Sequence, residues 1–294
     1  MPEHPSWNPR SEILTFEELR TLVEIFVSRF GIEQIRLTGG EPLMRKGVCE
    51  FVAMMRGLRT LGLRRVSLSS NGAMLEAYAA DLARSGLDDV NVSLDSLSPE
   101  RFARMTGGNV RDVLRGIDAA RRAGLGLKVN AVIIRGLNEC DVVPLTEWAA
   151  REAIALRFIE FMPLDSRGMW SADKVVGRDE MLTSLAESFD IAAMAPTNDP
   201  ASYYMLDSKY TVGIISTVSN PFCASCDRIR LTADGRMFSC LFSPSGVDLR
   251  RQLREHGASE RLAARIESAI FLKPRGFVEF RDRPSEIQMN VLGG

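Results

Sequence analysis

Short apolar segments alternate with segments of helical periodicity through the first half of the sequence, and this rhythm constrains the fold. The predicted strands cover residues 34–38, 65–69, 90–94, 127–134 and 155–161. A predicted helix follows each of the first four strands. Strands that alternate with helices in this way indicate parallel βα units. The sequence therefore predicts an α/β fold.

The predicted strands carry apolar residues at alternate positions only. Val90 and Val92 share one parity, whereas Asn91 has the other, and Arg36 and Lys128 also lie at polar positions. A parallel strand buried on both faces would be apolar throughout. The alternation favours a barrel with apolar residues against the helices and a polar lumen that holds a ligand. The alternative is a hydrogen-bonded polar ladder, but two buried cations would favour an anionic ligand.

Beyond Met162, turn-forming residues and short strands replace the βα rhythm. We therefore expect two domains: a βα barrel segment over residues 1–165 and a C-terminal subdomain over residues 166–294. The net charge of −1 provides no long-range attraction to nucleic acid or to a membrane. Five cysteines, an odd number, do not suggest a disulfide framework, so we expect a cytoplasmic protein.

Three cysteines in the C-terminal part have the spacing C-x2-C-x13-C. Cys223 and Cys226 would share a turn, and Cys240 would return to them from a hairpin. Zinc in a structural site requires four ligands, and His256 is the candidate for the fourth. A [4Fe–4S] cluster held by only three cysteines would instead keep one iron open to a ligand. The spacing alone leaves both metals open.

Two further motifs suggest a ligand beside this metal. Arg228 and Arg230 would project from one face of an extended segment next to Cys226, which favours an anion. Gly40 and Glu41 follow the first predicted strand, where barrel enzymes place their sites. An ordinary βα turn is the alternative for the second motif. The sequence has no P-loop, no G-x-G-x-x-G and no H-E-x-x-H.

Together these motifs resemble the GTP 3′,8-cyclase family, the radical S-adenosylmethionine (SAM) enzymes that begin molybdenum cofactor biosynthesis. The resemblance rests on residues 35–43, 70–72, 91–96, 128–130 and 157–160, together with the cysteine segment and the terminal Gly293-Gly294. It implies a partial (β/α) TIM-like barrel of the radical SAM type that lacks its first strand. A C-terminal iron–sulfur subdomain would carry the auxiliary cluster and the GTP site.

The resemblance also implies a reaction. A first [4Fe–4S] cluster would cleave SAM to a 5′-deoxyadenosyl radical, which would take the 3′ hydrogen of GTP. The ribose carbon would then attack C8 of guanine and form 3′,8-cyclo-7,8-dihydro-GTP. A second [4Fe–4S] cluster would bind the guanine through its open iron.

Four sets of site residues follow from the resemblance. The ligands of the second cluster would be Cys223, Cys226 and Cys240. Contacts with SAM would come from Gly40, Glu41, Ser93 and Met162. Contacts with GTP would come from Arg36, Ser69, Lys128, Arg228, Ile229 and Arg230. The residues expected to act in catalysis are Arg228, Arg230 and Lys128.

The sequence departs from the family at the SAM cluster, because it contains no C-x3-C-x2-C motif. Met1, Pro2 and Glu3 resemble the residues that follow the third cysteine of that motif, so we expect the ligands of the first cluster to lie upstream. The resemblance implies that the product passes to the cyclic pyranopterin monophosphate synthase of the same pathway. It admits a homodimer and leaves the electron donor open. The alternatives are a non-catalytic GTP-binding iron–sulfur protein and a peptide-modifying radical SAM enzyme with an auxiliary cluster.

Overall fold

The computed structural model describes residues 9–164, 168–223, 226–255 and 259–280. These residues form two compact units. The first unit takes its described residues from Met1–Leu68, Asp81–Asp88 and Asp227–Gly294, and the second takes them from Ser69–Ala80 and Asp89–Cys226. This division follows spatial contacts rather than chain order, and the predicted boundary at residue 165 stays a prediction.

The first unit begins with helix α1, Phe16–Phe30, whose ends are specified by its flanking residues. Thr15 and Glu18 form a capping box: the Thr15 amide donates to Glu18 Oε2 at 2.8 Å, and the Glu18 amide donates to Thr15 Oγ1 at 3.2 Å. Gly31 ends the helix with a φ of 65°, a left-handed conformation that costs glycine little.

Parallel pairing in the first unit joins strand β1, Gln34–Leu37, to strand β2, Arg65–Ser70. Between them lie helix α2, Val48–Met55, and a 3-10 turn, Arg56–Leu61. Strand β2 and the following helix α3, Leu75–Ser85, each contain residues of both units.

The C-terminal part of the first unit is a small antiparallel sheet followed by short helices. The sheet contains β9, Arg230–Leu231; β10, Arg236–Phe238; and β11, Val247–Asp248. The helices are α8, Arg250–Leu253; α9, Ser259–Phe271; and α10, Phe277–Phe280. An apolar core joins this part to α1 through residues that include Leu22, Phe26, Met237, Leu249 and Ile266.

The second unit contains six strands and four helices among its described residues. They are β3, Asp89–Ser93; α4, Pro99–Thr106; α5, Val110–Arg122; β4, Gly126–Ile133; α6, Val142–Arg151; β5, Ala155–Glu160; α7, Arg178–Ala186; β6, Ile191–Ala193; β7, Ser202–Leu206; and β8, Tyr210–Ile215. Strands β3, β4, β5 and β8 pair in parallel in that order, and β7 and β6 continue antiparallel beyond β8.

The predicted α/β fold is confirmed. Each of the five predicted strands agrees with an observed strand to within one residue at either end. Strand β8 was not predicted, although it extends the parallel series beyond β5. Among the described residues, the strand pairings do not close into a barrel, which agrees with the expected partial barrel. In the same residues, no helix has the length and apolarity needed to cross a membrane.

Most apolar positions of the strands form the core, as predicted, although Ile35, Leu37 and Leu127 are only half-buried. Val90, Val92 and Val129 are fully buried, whereas Lys128 at a polar position is only half-buried. The expectation of two buried cations is wrong, because Arg36 is exposed on β1 and Lys128 keeps contact with solvent. Neither side chain therefore requires an anion to compensate a fully desolvated charge. The polar parity still presents both cations where a ligand could reach them.

Close packing of α5 against the turn before α3 makes Gly116 sensitive to substitution. A Cβ at position 116 would collide with the Gly72 carbonyl oxygen and stand 3.0 Å from the Leu75 Cβ. We expect Gly116→Ala to lower the free energy of unfolding by about 1–3 kcal/mol, as overpacked interiors usually do. Urea unfolding of the parent and the variant would measure this difference in the free energy of unfolding. Gly57→Ala is the control, since the nearest atom there is an Arg20 side-chain nitrogen at 3.9 Å, and equal losses in both variants would contradict the prediction.

Candidate functional site

Two of the three predicted metal ligands lie in one turn of the second unit. The Cys226 amide donates a hydrogen bond to the Cys223 carbonyl oxygen at 3.2 Å, and both side chains are half-buried. A C-x2-C pair on a tight turn can direct two thiolates to one metal. The local backbone is therefore suitable for a metal-binding pair.

The third predicted ligand, Cys240, belongs to the first unit and lies just after β10. It is buried, and its sulfur accepts a hydrogen bond from the Phe242 amide at 3.4 Å. Amide donors to cysteine sulfur tune the potential of iron–sulfur clusters. Phe242 is itself fixed against Phe277, with ring centroids 5.0 Å apart. The surroundings of Cys240 thus fit a thiolate ligand.

The described residues do not bring three metal-binding side chains together. Within these ranges, no group of three or more His, Cys, Asp or Glu residues could hold a metal ion. His256, the candidate for a fourth zinc ligand, lies outside the described residues. The donor chemistry of the three cysteines fits an iron–sulfur cluster, while their convergence on one centre stays a prediction.

The Arg-Ile-Arg segment leads into β9 in the first unit. Ile229 packs against the apolar core, and Arg230 pairs with Phe238 across the sheet. Lys273 Nζ donates to the carbonyl oxygen of Arg228 at 2.9 Å and so fixes the backbone there. In an extended segment, residues on either side of a core-facing isoleucine point away from the core. Both half-buried arginines are therefore suitably placed to bind an anion.

The Gly-Gly-Glu motif lies at the end of β1. Glu41 is only 7% exposed, and its Oε1 accepts the Leu43 amide at 3.1 Å. It therefore caps the short 3-10 helix Pro42–Met44, which an exposed carboxylate in an ordinary turn would not do. Gly40 beside it is exposed, so its backbone is accessible to a ligand.

Polar residues of the second unit line one face of β3 and β4. Asn91 lies opposite Lys128, and Ser93 lies opposite Asn130 in the parallel register. Ser93 is exposed, whereas Lys128 and Asn130 are half-buried. Two further predicted contacts, Ser69 near the end of β2 and Met162 just after β5, are also half-buried in this unit. The predicted residues Ser93 and Lys128 thus share one sheet face.

Arg157 continues this polar face onto β5, and the sequence reasoning assigned it no role. It is 4% exposed, and it donates through Nε to Asn130 Oδ1 at 3.0 Å and through Nη2 to Asn91 Oδ1 at 3.3 Å. Its Nη1 lies 3.7 Å from Asp199 Oδ1. Nδ2 of Asn91, also buried, has no hydrogen-bond partner in the described part of the chain. The parity of Arg157 within β5 was the signal available in the sequence.

Space for Arg157 comes from a glycine on the next strand. Asn130, Arg157, Gly213 and Tyr203 form a continuous row across β4, β5, β8 and β7. A Cβ at Gly213 would stand 2.9 Å from Arg157 Cγ and 3.0 Å from Tyr203 Cε1. Burial raises the pKa of Tyr203, and the charge of Asp199 adds to this effect while Arg157 opposes it. Along this row of residues the polar face is therefore a packed hydrogen-bonded network and not an open lumen.

A second polar group lies at the end of β3, beside a cavity of about 230 Å³. Asp95 Oδ1 accepts the Val132 amide at 2.8 Å, and Arg104 lines the same cavity. Burial raises the pKa of Asp95 from 3.8 to about 6, and the hydrogen bond from Val132 offsets only part of this rise.

The raised pKa of Asp95 predicts a pH-dependent stability. Between 3.8 and about 6 the unfolded chain loses this proton while the folded chain keeps it, so the free energy of unfolding falls as pH rises. This pKa shift corresponds to a loss of at most about 3 kcal/mol in the free energy of unfolding. Asp95→Asn should abolish this loss. Urea unfolding of both proteins at about pH 4 and about pH 7 measures the effect. Identical pH profiles would show that Asp95 titrates normally.

Comparisons with known proteins agree with the fold and the motifs. The family model of the Radical SAM superfamily matches residues 2–149, and that of Molybdenum Cofactor Synthesis C matches residues 154–278. The solved structure of Streptococcus suis SuiB has a TM-score of 0.61 at 10% identity, over 94% of this chain and 70% of that one. At this identity the likeness concerns the fold alone.

Curated relatives match the whole chain. A protein of Rhodopirellula baltica named GTP 3′,8-cyclase is 40% identical over 100% of this chain and 84% of its own length. Proteins of the same name from Thermodesulfovibrio yellowstonii and Streptomyces coelicolor are 38% and 39% identical, over 92% and 88% of their lengths. The chain therefore belongs to the GTP 3′,8-cyclase family of radical SAM enzymes.

Proposed function

We propose that the protein catalyses the radical SAM cyclisation of GTP to 3′,8-cyclo-7,8-dihydro-GTP, the first step of molybdenum cofactor biosynthesis. The observation that carries this proposal is the likeness of the whole chain, at 40% identity, to a relative named for that reaction. The product would pass to the cyclic pyranopterin monophosphate synthase of the same pathway.

Cationic residues would hold the triphosphate of GTP. Arg228, Arg230 and Lys128 would donate charge-assisted hydrogen bonds, and Arg36 and Ser69 would add further donors. The half-buried state of the first three supports this role, because partial desolvation strengthens a charge interaction while solvent access still admits the ligand. Ile229 contributes by anchoring the segment to the core, as its packing suggests.

The SAM contacts would come from Gly40, Glu41, Ser93 and Met162. Exposed Gly40 would offer its backbone, and the neighbouring Glu41 carboxylate would accept from the amino group of SAM. The hydrogen bond from the Leu43 amide to Glu41 orients this carboxylate before any ligand binds. Ser93 and Met162 would complete the set, with the Ser93 hydroxyl exposed on its strand.

Cys223, Cys226 and Cys240 would hold the auxiliary [4Fe–4S] cluster. The amide of Phe242 would stabilise the Cys240 thiolate, because it already donates to that sulfur. With SAM and a reduced [4Fe–4S] cluster bound, these cofactors would supply the radical chemistry that removes hydrogen from GTP.

Anaerobic reconstitution tests the proposal directly. The protein is expressed from its native gene, loaded anaerobically with iron and sulfide, and incubated with SAM, GTP and dithionite. We expect 5′-deoxyadenosine and the cyclised nucleotide in equal amounts. Absence of the cyclised nucleotide would contradict the proposal. GTP binding without SAM cleavage would instead support the non-catalytic iron–sulfur protein.

A further inference from the structure

Glu160, the last residue of β5, is a buried carboxylate that is not among the site residues described above. Glu160 is fully buried. Its Oε2 accepts the amides of Val218 and Ser219, each at 2.8 Å. Its Oε1 accepts the Arg178 amide at 2.9 Å and the hydroxyl of Ser219. Four donors therefore surround one carboxylate.

These hydrogen bonds tie three parts of the second unit together. Glu160 ends β5, Arg178 begins α7, and Val218 and Ser219 belong to the segment that follows β8. Ser219 also lies against Gly177, where a Cβ would be 3.7 Å from the Ser219 Cβ. An ionised carboxylate accepts only, so it suits this set of donors, whereas a side-chain amide in its place would turn a donor toward some of them.

The tied segment leads directly to the predicted cluster ligands. Ser219 precedes Cys223 by four residues. The Asn220 amide donates to the Ser216 carbonyl oxygen at 3.2 Å, and the Ser216 hydroxyl donates to the Asn220 carbonyl oxygen at 3.4 Å. Pro221 then restricts its own φ. Little free chain therefore lies between the carboxylate and the first cysteine.

We propose that Glu160 is a positioning residue for the auxiliary cluster, because it fixes the segment that carries Cys223 and Cys226 to the end of β5. The inference rests on the proposed function in one respect, namely that these two cysteines hold a cluster. Glu160 acts through the backbone of Val218 and Ser219 and does not itself contact iron or substrate.

The experiment measures how fast a chelator removes iron from the reconstituted full-length protein, without GTP or SAM. We expect Glu160→Gln to release iron at least about tenfold faster, the factor that corresponds to the loss of one charge-assisted hydrogen bond. Ser219→Ala removes a single donor, the hydroxyl, and should give a smaller acceleration. It is also the second variant if Glu160→Gln does not fold.

A matched control separates positioning from general destabilisation. Asp141 is also a nearly fully buried carboxylate of the second unit, and it accepts two hydrogen bonds at 2.8 Å from Arg101. Asp141→Asn should lower the melting temperature but leave the rate of iron release unchanged. Release as fast as that of Glu160→Gln in this control would overturn the inference. A rate unchanged from the parent in both Glu160→Gln and Ser219→Ala would do the same.

The outcomes also separate this inference from the proposed function. A parent protein that holds iron while both variants at positions 160 and 219 release it normally contradicts only the role of Glu160. Accelerated release in a protein that forms no cyclised nucleotide leaves the role of Glu160 intact and contradicts the proposed reaction. A parent protein that binds no iron through its cysteines overturns both.

Discussion

Replacing Arg228 and Arg230 together by alanine should weaken GTP binding by about 10²–10⁴-fold. Each charge-assisted hydrogen bond to a phosphate contributes about 1.5–3 kcal/mol, and two such contacts are removed. The backbone of the segment should keep its position, because Ile229 packs against the core and Lys273 holds the carbonyl oxygen of Arg228. Anaerobic calorimetry with GTP and the iron-loaded protein measures the dissociation constant.

The same hairpin provides a control for the loss of charge. Arg236 lies on the neighbouring strand β10, is exposed and forms an ion pair with Asp234 at 3.3 Å. Exposed pairs of this kind contribute at most about 1 kcal/mol, so Arg236→Ala should leave GTP affinity within a few fold of the parent. If Arg236→Ala weakens GTP binding as much as the double variant does, the lost affinity comes from the change in net charge and not from direct contacts of Arg228 and Arg230. An unchanged affinity in the double variant would favour a substrate other than a nucleoside triphosphate.

Local patterns in the sequence were sufficient for the first five strands. The alternation that places Val90, Val92 and Val129 in the core appears directly in the residue order, since side chains in a strand point to opposite faces with period two. The same pattern placed Ser93 and Lys128 on the opposite face, where the structure has them. What the pattern could not provide is the depth of burial, which depends on neighbouring elements. Arg36 is exposed for this reason, although the pattern suggested burial.

Long-range pairing was the part that the sequence did not reveal. Strand β8 joins β5 across more than fifty residues, and only this pairing brings Gly213 beside Arg157. A glycine within a strand usually weakens that strand, yet Gly213 leaves the space that the Arg157 side chain occupies. Glu160 is similar, because its four donors come from α7 and from the segment after β8. The parity of Arg157 within β5 is visible in the sequence, but neither its partners nor the donors to Glu160 have a local signature.

Each of the three predicted cluster cysteines should be needed for the protein to hold iron. Cys223→Ser, Cys226→Ser or Cys240→Ser should each remove most of the iron from the auxiliary cluster, about four irons per chain in a [4Fe–4S] centre. Serine keeps the size of the side chain but replaces a soft thiolate with a poor ligand for iron–sulfur chemistry. Iron and labile sulfide measured after anaerobic reconstitution give the result.

Two other cysteines are the natural controls. Cys49 lies in α2, where burial raises the pKa of its thiol and so disfavours the thiolate that metals bind, and Cys140 is exposed. Cys49→Ser and Cys140→Ser should therefore retain the iron of the parent. The metal can also be identified, because zinc in place of iron would be retained under oxidising conditions and would carry no labile sulfide. An iron content equal to that of the parent in all three variants at positions 223, 226 and 240 would show that these cysteines hold no cluster. These residues would then provide no open iron to bind guanine.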